Sequence, residues 1–292
     1  MKKSYLVYLF IFLFFFVSCK DNSETLDENV VFEEEKELLD VAYGDDAQQK
    51  YDIYLPSNRS ASKTKVIVLV HGGAWIGGDK ADMKGVYDVL KITSSEYALV
   101  NINYRLATFN LQPFPMQIYD IKSVVEDLKS KSREYGILNE YAFVGVSAGA
   151  HLSMLYSYKD DTEKRVKAVV DVVGPTDFLH SSYTDSPNIE TQQAALGLQL
   201  VIGKFIENDP NYFESISPRY AVTASSPPTI MFYGGVDVLA PFQQGEVLKQ
   251  TLDSFGVTNE YYFYPNAEHD LGDENIADAL AKSTTFIHTH LK

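Results

Sequence analysis

Three side chains far apart in the chain, Ser147, Asp237 and His269, could together carry nucleophilic catalysis. A serine hydroxyl is a poor nucleophile until a base takes its proton, and that base needs a carboxylate to orient it. Ser147 lies in Gly145-Val146-Ser147-Ala148-Gly149, a G-x-S-x-G pentapeptide. The apolar run Tyr141–Val144 precedes it, and Ala150, Leu152, Met154 and Leu155 follow at helical spacing. Strand, sharp turn, helix is the context that lifts such a serine above a sheet, and glycine at both flanks leaves room for the bend. Taken alone, the pentapeptide also fits a small-residue loop that holds a serine by chance. The histidines narrow the choice. Of the six, only His269 occupies a loop directly after a strand-like run, Glu260–Tyr264. His288 and His290 fall on a terminal helix pattern and read as surface residues, and His180 lies in a segment with no strand leading to it. His151 is one helical turn beyond Ser147 and reads as a packing residue, while His71 opens a glycine loop and is expected to buttress it. Asp237 follows the strand Thr229–Tyr233, whereas Asp270 and Asp273 are too close to His269 in sequence to face its far nitrogen. Loops at one edge of a parallel sheet converge above the serine turn, so the three are expected to meet there.

The elements that must position them alternate. Lys65–Val70 is a continuous β-branched run, as expected of a strand covered on both faces, and it leads into His71-Gly72-Gly73-Ala74-Trp75. Backbone with few side chains, placed after a buried strand, can bring N–H groups close to a ligand. Paired with the serine turn, this loop reads as the second wall of an oxyanion hole. Further strands are expected at Val30–Phe32, Leu38–Tyr43, Tyr51–Leu55, Ala98–Ile102 and Val166–Val173. Helices are expected over Met116–Tyr135, with Ile118, Ile121, Val125 and Leu128 on one stripe, and over Phe242–Phe255 and Ile276–His288. Arg105 and Asp120 read as charges bracing the loop between Ile102 and the first of these helices. Residues 176–228 form an insertion, with a helix over Ile189–Ile206 and a breaker at Asp209-Pro210, suited to a lid or pocket wall. The alternation predicts the α/β class: a mostly parallel central sheet flanked by helices, with antiparallel early strands at one edge.

Composition bounds the partners. A chain of 292 residues with 25 basic and 40 acidic side chains has a formal net charge of −15. That excludes a phosphate-neutralising nucleic-acid binder. Met1-Lys2-Lys3 followed by the apolar run Tyr5–Val17 has the form of a signal peptide, and the run is too short to span a bilayer as a helix. The end of the run, Val17-Ser18-Cys19, resembles a bacterial lipoprotein signal. That resemblance implies removal of residues 1–18, a lipidated Cys19, a flexible acidic tether over 19–29 and one folded domain over 30–292. It places the protein outside the cytoplasm, anchored to the outer membrane and facing the periplasm or the exterior. Cys19 is the only cysteine, so no disulfide and no cysteine-ligated metal is expected in the folded part.

Taken together, Tyr43-Gly44, Tyr51-Asp52-Ile53-Tyr54-Leu55-Pro56, HGGAW at 71–75 with Gly78-Asp79-Lys80, NYRL at 103–106, GVSAGAHL at 145–152, the stretch Ser217–Asp237 and Ala267-Glu268-His269 carry a resemblance. The chain resembles the α/β-hydrolase esterases and lipases related to hormone-sensitive lipase, and within them the bacterial feruloyl- and acetyl-esterase-like branch. The likeness spans about Val41 to His290. It implies an α/β-hydrolase fold and a serine carboxylic-ester hydrolase working through an acyl-enzyme, with neither metal nor cofactor. Ser147 would be nucleophile, His269 general base and then acid, and Asp237 its orienter. The backbone N–H groups of Gly73, Ala74 and Ala148 would form the oxyanion hole. Ala74 stands where many relatives have a third glycine, a change that removes no main-chain donor. Trp75 and His71 are the pocket candidates, and a small or glycan-linked acetyl or feruloyl-type ester is the expected substrate. Formamidase-like proteins share the HGG and SAGAHL patterns, so an amidase, formamidase-like or peptidase hydrolase is the alternative within the fold. A non-catalytic binding module is the alternative from another class.

Overall fold

The structure is a computed structural model and describes residues 30–108 and 110–292. The expected signal peptide, Cys19 and the tether lie outside the described residues. Eight runs, most of them rich in β-branched and aromatic residues, form one sheet. They are β1 Lys36–Ala42, β2 Lys50–Leu55, β3 Val66–Val70, β4 Ala98–Ile102, β5 Tyr141–Val146, β6 Val166–Val172, β7 Thr229–Gly234 and β8 Asn259–Tyr264. Their order is β1-β2-β4-β3-β5-β6-β7-β8. From β4 to β8 every neighbouring pair is parallel, while β2 runs antiparallel to β4 and β1 antiparallel to β2. Strands β3 and β4 are buried along their whole length, which is why they do not alternate; the one polar residue of β4, Asn101, donates to Lys80 O at 2.7 Å. This is the α/β-hydrolase fold.

Register places the chemistry. Val70 pairs with Gly145, so the glycine loop after β3 emerges beside the serine turn after β5. Gly234 pairs with Tyr264, so the loops bearing Asp237 and His269 leave adjacent strands side by side. Glycine is needed at the end of β7 because a Cβ on Gly234 would lie 2.4 Å from the carbonyl oxygen of Ala267.

Three elements differ from their sequence reading. Val30–Phe32 is not a strand: only Phe32 pairs, through an isolated bridge to Arg59. The helix expected over Met116–Tyr135 divides into Met116–Ser130 and Ser132–Tyr135. The break at Lys131 accompanies the burial of Tyr135, whose hydroxyl lies 3.4 Å from that of Tyr51. The insertion helix runs Ile189–Ile202 and stops there, because Gly203 at φ 73° provides a left-handed cap. The insertion is fastened to the body at both ends of the site. The Tyr183 hydroxyl donates to the carbonyl of Leu239 at 2.9 Å, and His151 Nε2 donates to that of Ile216 at 2.7 Å. Among the described residues no helix is long and apolar enough to cross a membrane.

Candidate active site

Ser147 joins β5 to the helix Ala148–Leu155 with φ 53° and ψ −119°. A non-glycine residue there stores strain of about 1–3 kcal/mol, and its surroundings hold it in place. Ser147 N–H donates to Val172 O at 2.8 Å, and Ser147 C=O accepts from His151 N–H at 3.0 Å. The flanking glycines are required by close approach. A Cβ on Gly145 would lie 2.5 Å from the backbone of Ala150, and one on Gly149 only 2.2 Å from the carbonyl oxygen of Val70.

The structure brings Ser147, Asp237 and His269 together. His269 Nε2 lies 2.9 Å from Ser147 Oγ, and its Nδ1 lies 2.7 Å from Asp237 Oδ2. An ionised carboxylate only accepts, so Nδ1 carries the ring proton and Nε2 is left to accept from the serine hydroxyl. Asp237 cannot swing away, because its other oxygen accepts from the N–H groups of Leu239 at 2.8 Å and Ala240 at 2.9 Å. The carboxylate is fully buried, while the imidazole side chain is 26% exposed. A buried acid fixing a reachable base is the arrangement that lets a serine hydroxyl act at neutral pH.

The glycine loop presents its N–H groups outward because its carbonyls are held inward. In a planar trans peptide the C=O and N–H point in opposite directions. Gly72 O accepts from His71 Nδ1 at 2.6 Å and lies 3.3 Å from the Tyr104 hydroxyl, which turns Gly73 N–H away from the core. His71 is fully buried and stacks on Tyr104 with ring centroids 4.3 Å apart. Burial holds its pKa below the usual imidazole value, so it stays neutral beneath the loop. Gly73 and Ala74 are exposed. Ala148 N–H starts the helix that follows Ser147, where the first N–H groups have no intrahelical acceptor.

Trp75 and His71 do not form pocket walls in this structure, contrary to the sequence expectation. Trp75 is 1% exposed and His71 0%. With φ 64° at Trp75, the indole turns into the core, where it packs against Phe114, His151 and Phe178 at centroid distances of 5.7, 5.2 and 6.0 Å. His151 belongs to this aromatic cluster, and burial pushes its pKa down to about 4. His288 is also not free at the surface: it stacks on Tyr97 and lies 3.2 Å from Ser94 Oγ. Arg105 and Asp120 brace the loop as expected, with Arg105 Nη2 donating to Asp120 Oδ1 at 2.6 Å. Gln117 escaped the sequence reading. It is fully buried on the same helix face as Asp120 and Ile121, and the signal that marks it is a polar residue within an apolar stripe. Among the described residues no cluster of three or more His, Cys, Asp or Glu could hold a metal ion.

Comparison with known proteins bears on the family and the fold. Residues 51–252 match the BD-FAE family model. Esterase LipC of Mycobacterium tuberculosis is 26% identical over 242 residues, covering 78% of this chain and 58% of LipC. Kynurenine formamidase of Danio rerio is 28% identical over 165 residues, covering 54% of each chain. The chain spans about half the length of the curated relatives it matches. Among solved structures, a truncated form of a carbohydrate esterase from gut microbiota superposes with a TM-score of 0.69 at 22% identity, over 86% of this chain and 96% of that one.

Proposed function

The chain belongs to the BD-FAE family, and from that premise we propose that it hydrolyses carboxylic esters through a serine acyl-enzyme. The observation that carries the reading is the continuous hydrogen-bond path from Asp237 through His269 to Ser147, at 2.7 and 2.9 Å. In this mechanism Ser147 Oγ attacks the ester carbonyl carbon while His269 Nε2 takes the hydroxyl proton. Negative charge collects on the carbonyl oxygen, which the N–H groups of Gly73, Ala74 and Ala148 receive. Donors aimed at that position before the reaction begins cost no reorganisation when it occurs. Collapse of the tetrahedral intermediate breaks the C–O bond to the alcohol, which leaves with the proton from His269. A water molecule, deprotonated by His269, then attacks the acyl-enzyme, and the acid leaves as Ser147 recovers its proton. Asp237 keeps Nδ1–H in place and stabilises the imidazolium formed in each half-reaction.

For the substrate we propose an acetyl or feruloyl-type ester on a carbohydrate or small alcohol. The supporting features are exposed Gly73 and Ala74 and a partly exposed His269, which leave the reacting face open to a bulky alcohol. In this reading Cys19 carries lipid and tethers the enzyme to the membrane face where such substrates are met, and residues 176–228 flank the mouth. The likeness to a formamidase supports a second reading, hydrolysis of a formamide by the same residues.

The test uses p-nitrophenyl acetate, acetylated and feruloylated xylan, N-formylaniline and a fluorophosphonate probe. Ester turnover and probe labelling of the wild type, both lost in Ser147→Ala, are the expected results. An unlabelled, inactive wild type overturns the proposal in favour of a binding module. Turnover of the formamide in preference to every ester selects the second reading. Release of acetate or ferulate from xylan at rates comparable to the small ester supports the glycan assignment, and activity on the small ester alone overturns it.

A further inference from the structure

We infer that Gln117 is a positioning residue for the oxyanion hole, acting through two peptide groups on the N–H of Ala74. The inference rests on the esterase reading above. Gln117 is fully buried, and both hydrogens of its Nε2 are committed to main-chain carbonyls, Trp75 O at 2.7 Å and Arg105 O at 2.8 Å. Neither partner is mobile. Arg105 N–H donates to Asp120 Oδ2 at 2.8 Å, and Asp120 is one turn along Gln117's own helix. Trp75 O also accepts from Ala107 N–H at 2.8 Å.

The relay follows from peptide planarity. With the Trp75 carbonyl drawn inward to Gln117, the N–H on the other side of that peptide, Ile76 N–H, must point the opposite way. It meets Gly73 O at 3.1 Å, where Gly77 N–H also donates at 2.9 Å. With Gly73 O held there, the N–H across its peptide, that of Ala74, faces away from the turn. Ala74 is exposed, and among the described residues its N–H has no protein acceptor. Successive N–H groups presented by a tight bend make an anion-binding concavity. Ala74 and Trp75 hold φ of 49° and 64°, conformations that L-residues leave readily unless neighbours fix them. Among the described residues Gln117 is the one side chain that donates to the Trp75 carbonyl in that bend, sharing it with Ala107 N–H. His71, whose own carbonyl accepts from the Tyr104 hydroxyl at 2.9 Å, holds the Gly72 carbonyl and so the other donor, Gly73 N–H. The two donors are thus positioned by separate side chains.

A residue that merely supports the fold would affect all substrates alike. An oxyanion-hole residue changes the preference between an ester and the matching thionoester, because N–H donors stabilise a developing oxyanion better than a thiolate anion. Gln117→Met keeps the length and removes both donors. Its kcat on p-nitrophenyl acetate should fall about 10- to 100-fold, less than the 10²–10³ expected from deleting a donor outright, with KM within about twofold. The ratio of ester to thionoester rates should fall about tenfold. Gln117→Asn still donates but is too short to reach both carbonyls, and should show the same fall in ratio. Unchanged ratios with unchanged kcat overturn the inference, as does an equal loss on both substrates. Hydrogen exchange on the unmodified chain reads the relay without a variant: Ile76 N–H should be protected while Ala74 N–H exchanges freely. A fast-exchanging Ile76 N–H overturns the inference even if neither variant folds. A wild type inactive on both esters instead overturns the esterase reading, and this inference with it.

Discussion

Ser147 is held in a conformation that a glycine would adopt without strain. At φ 53° and ψ −119° its Cβ is crowded by its own backbone, and this same bend places the hydroxyl 2.9 Å from His269 Nε2. Comparing Ser147→Gly with Ser147→Ala isolates that strain, since both lack the hydroxyl. Alanine normally favours the folded state over glycine because the unfolded glycine chain has more freedom to lose. Here the order should reverse, with Ser147→Gly the more stable by about 1 kcal/mol in urea unfolding. Alanine at least as stable as glycine would show that the bend carries no strain. At this scale the sequence was readable where chemistry restricts residue type. A serine between two glycines, a histidine after one strand and an aspartate after its neighbour leave few other assignments. Trp75 and Gln117 were not readable, because their roles depend on which way the backbone turns. A left-handed φ at Trp75 buries an indole that an extended loop would have presented to substrate.

The elements were legible in proportion to how fully they are buried. β3, β4 and β5 are almost wholly buried and nearly bounded themselves. Helix ends were less readable, because they depend on single residues whose conformation the pattern does not encode, such as Gly203 and Lys131. The insertion helix Ile189–Ile202 shows a further departure from local preference. Gly197 lies in its interior, and a Cβ added there would meet nothing within 4 Å. Glycine in a helix interior costs about 1 kcal/mol relative to alanine. No left-handed φ or close neighbour requires it at this position. Gly197→Ala should therefore stabilise the protein by about 0.5–1 kcal/mol. The insertion should also show slower amide exchange near residue 197. A destabilised variant would mean that the helix packs more closely against something than it does in this structure.

At the scale of the molecule, two buried groups that the mechanism does not use set opposing pH dependences. Asp171, in β6, is fully buried. Its Oδ1 accepts from Gly174 N–H at 2.8 Å, and its Oδ2 lies 2.7 Å from the Tyr233 hydroxyl, which is itself 2.5 Å from Gly174 O. One phenolic hydrogen cannot serve both oxygens. The network closes if Asp171 is protonated and donates to Tyr233, which then donates to Gly174. Burial pushes its carboxyl up from 3.8 to about 7, in agreement with that count. Between those values the native state binds a proton that the unfolded chain has released, so stability falls as pH rises through this window. His151 works the other way. Its pKa is pushed down from 6.5 to about 4, so in that range the unfolded chain binds the extra proton and stability rises with pH. The slopes oppose each other between about 4 and 6.5, and only that of Asp171 continues toward 7. Asp171→Asn supplies an amide that can donate to Tyr233 at every pH and removes one of the two slopes. Measured as wild type against variant, the stability difference should shift toward the variant by a few kcal/mol from pH 4 to about pH 7.5 and then level off. Subtraction cancels the repulsion within a chain of net charge −15, provided both proteins unfold in two states. The variant taken alone should show His151's rise as pH climbs from about 4 to 6.5. A pH-independent difference would mean that Asp171 is ionised in the native protein and that Gly174 O receives its hydrogen from elsewhere.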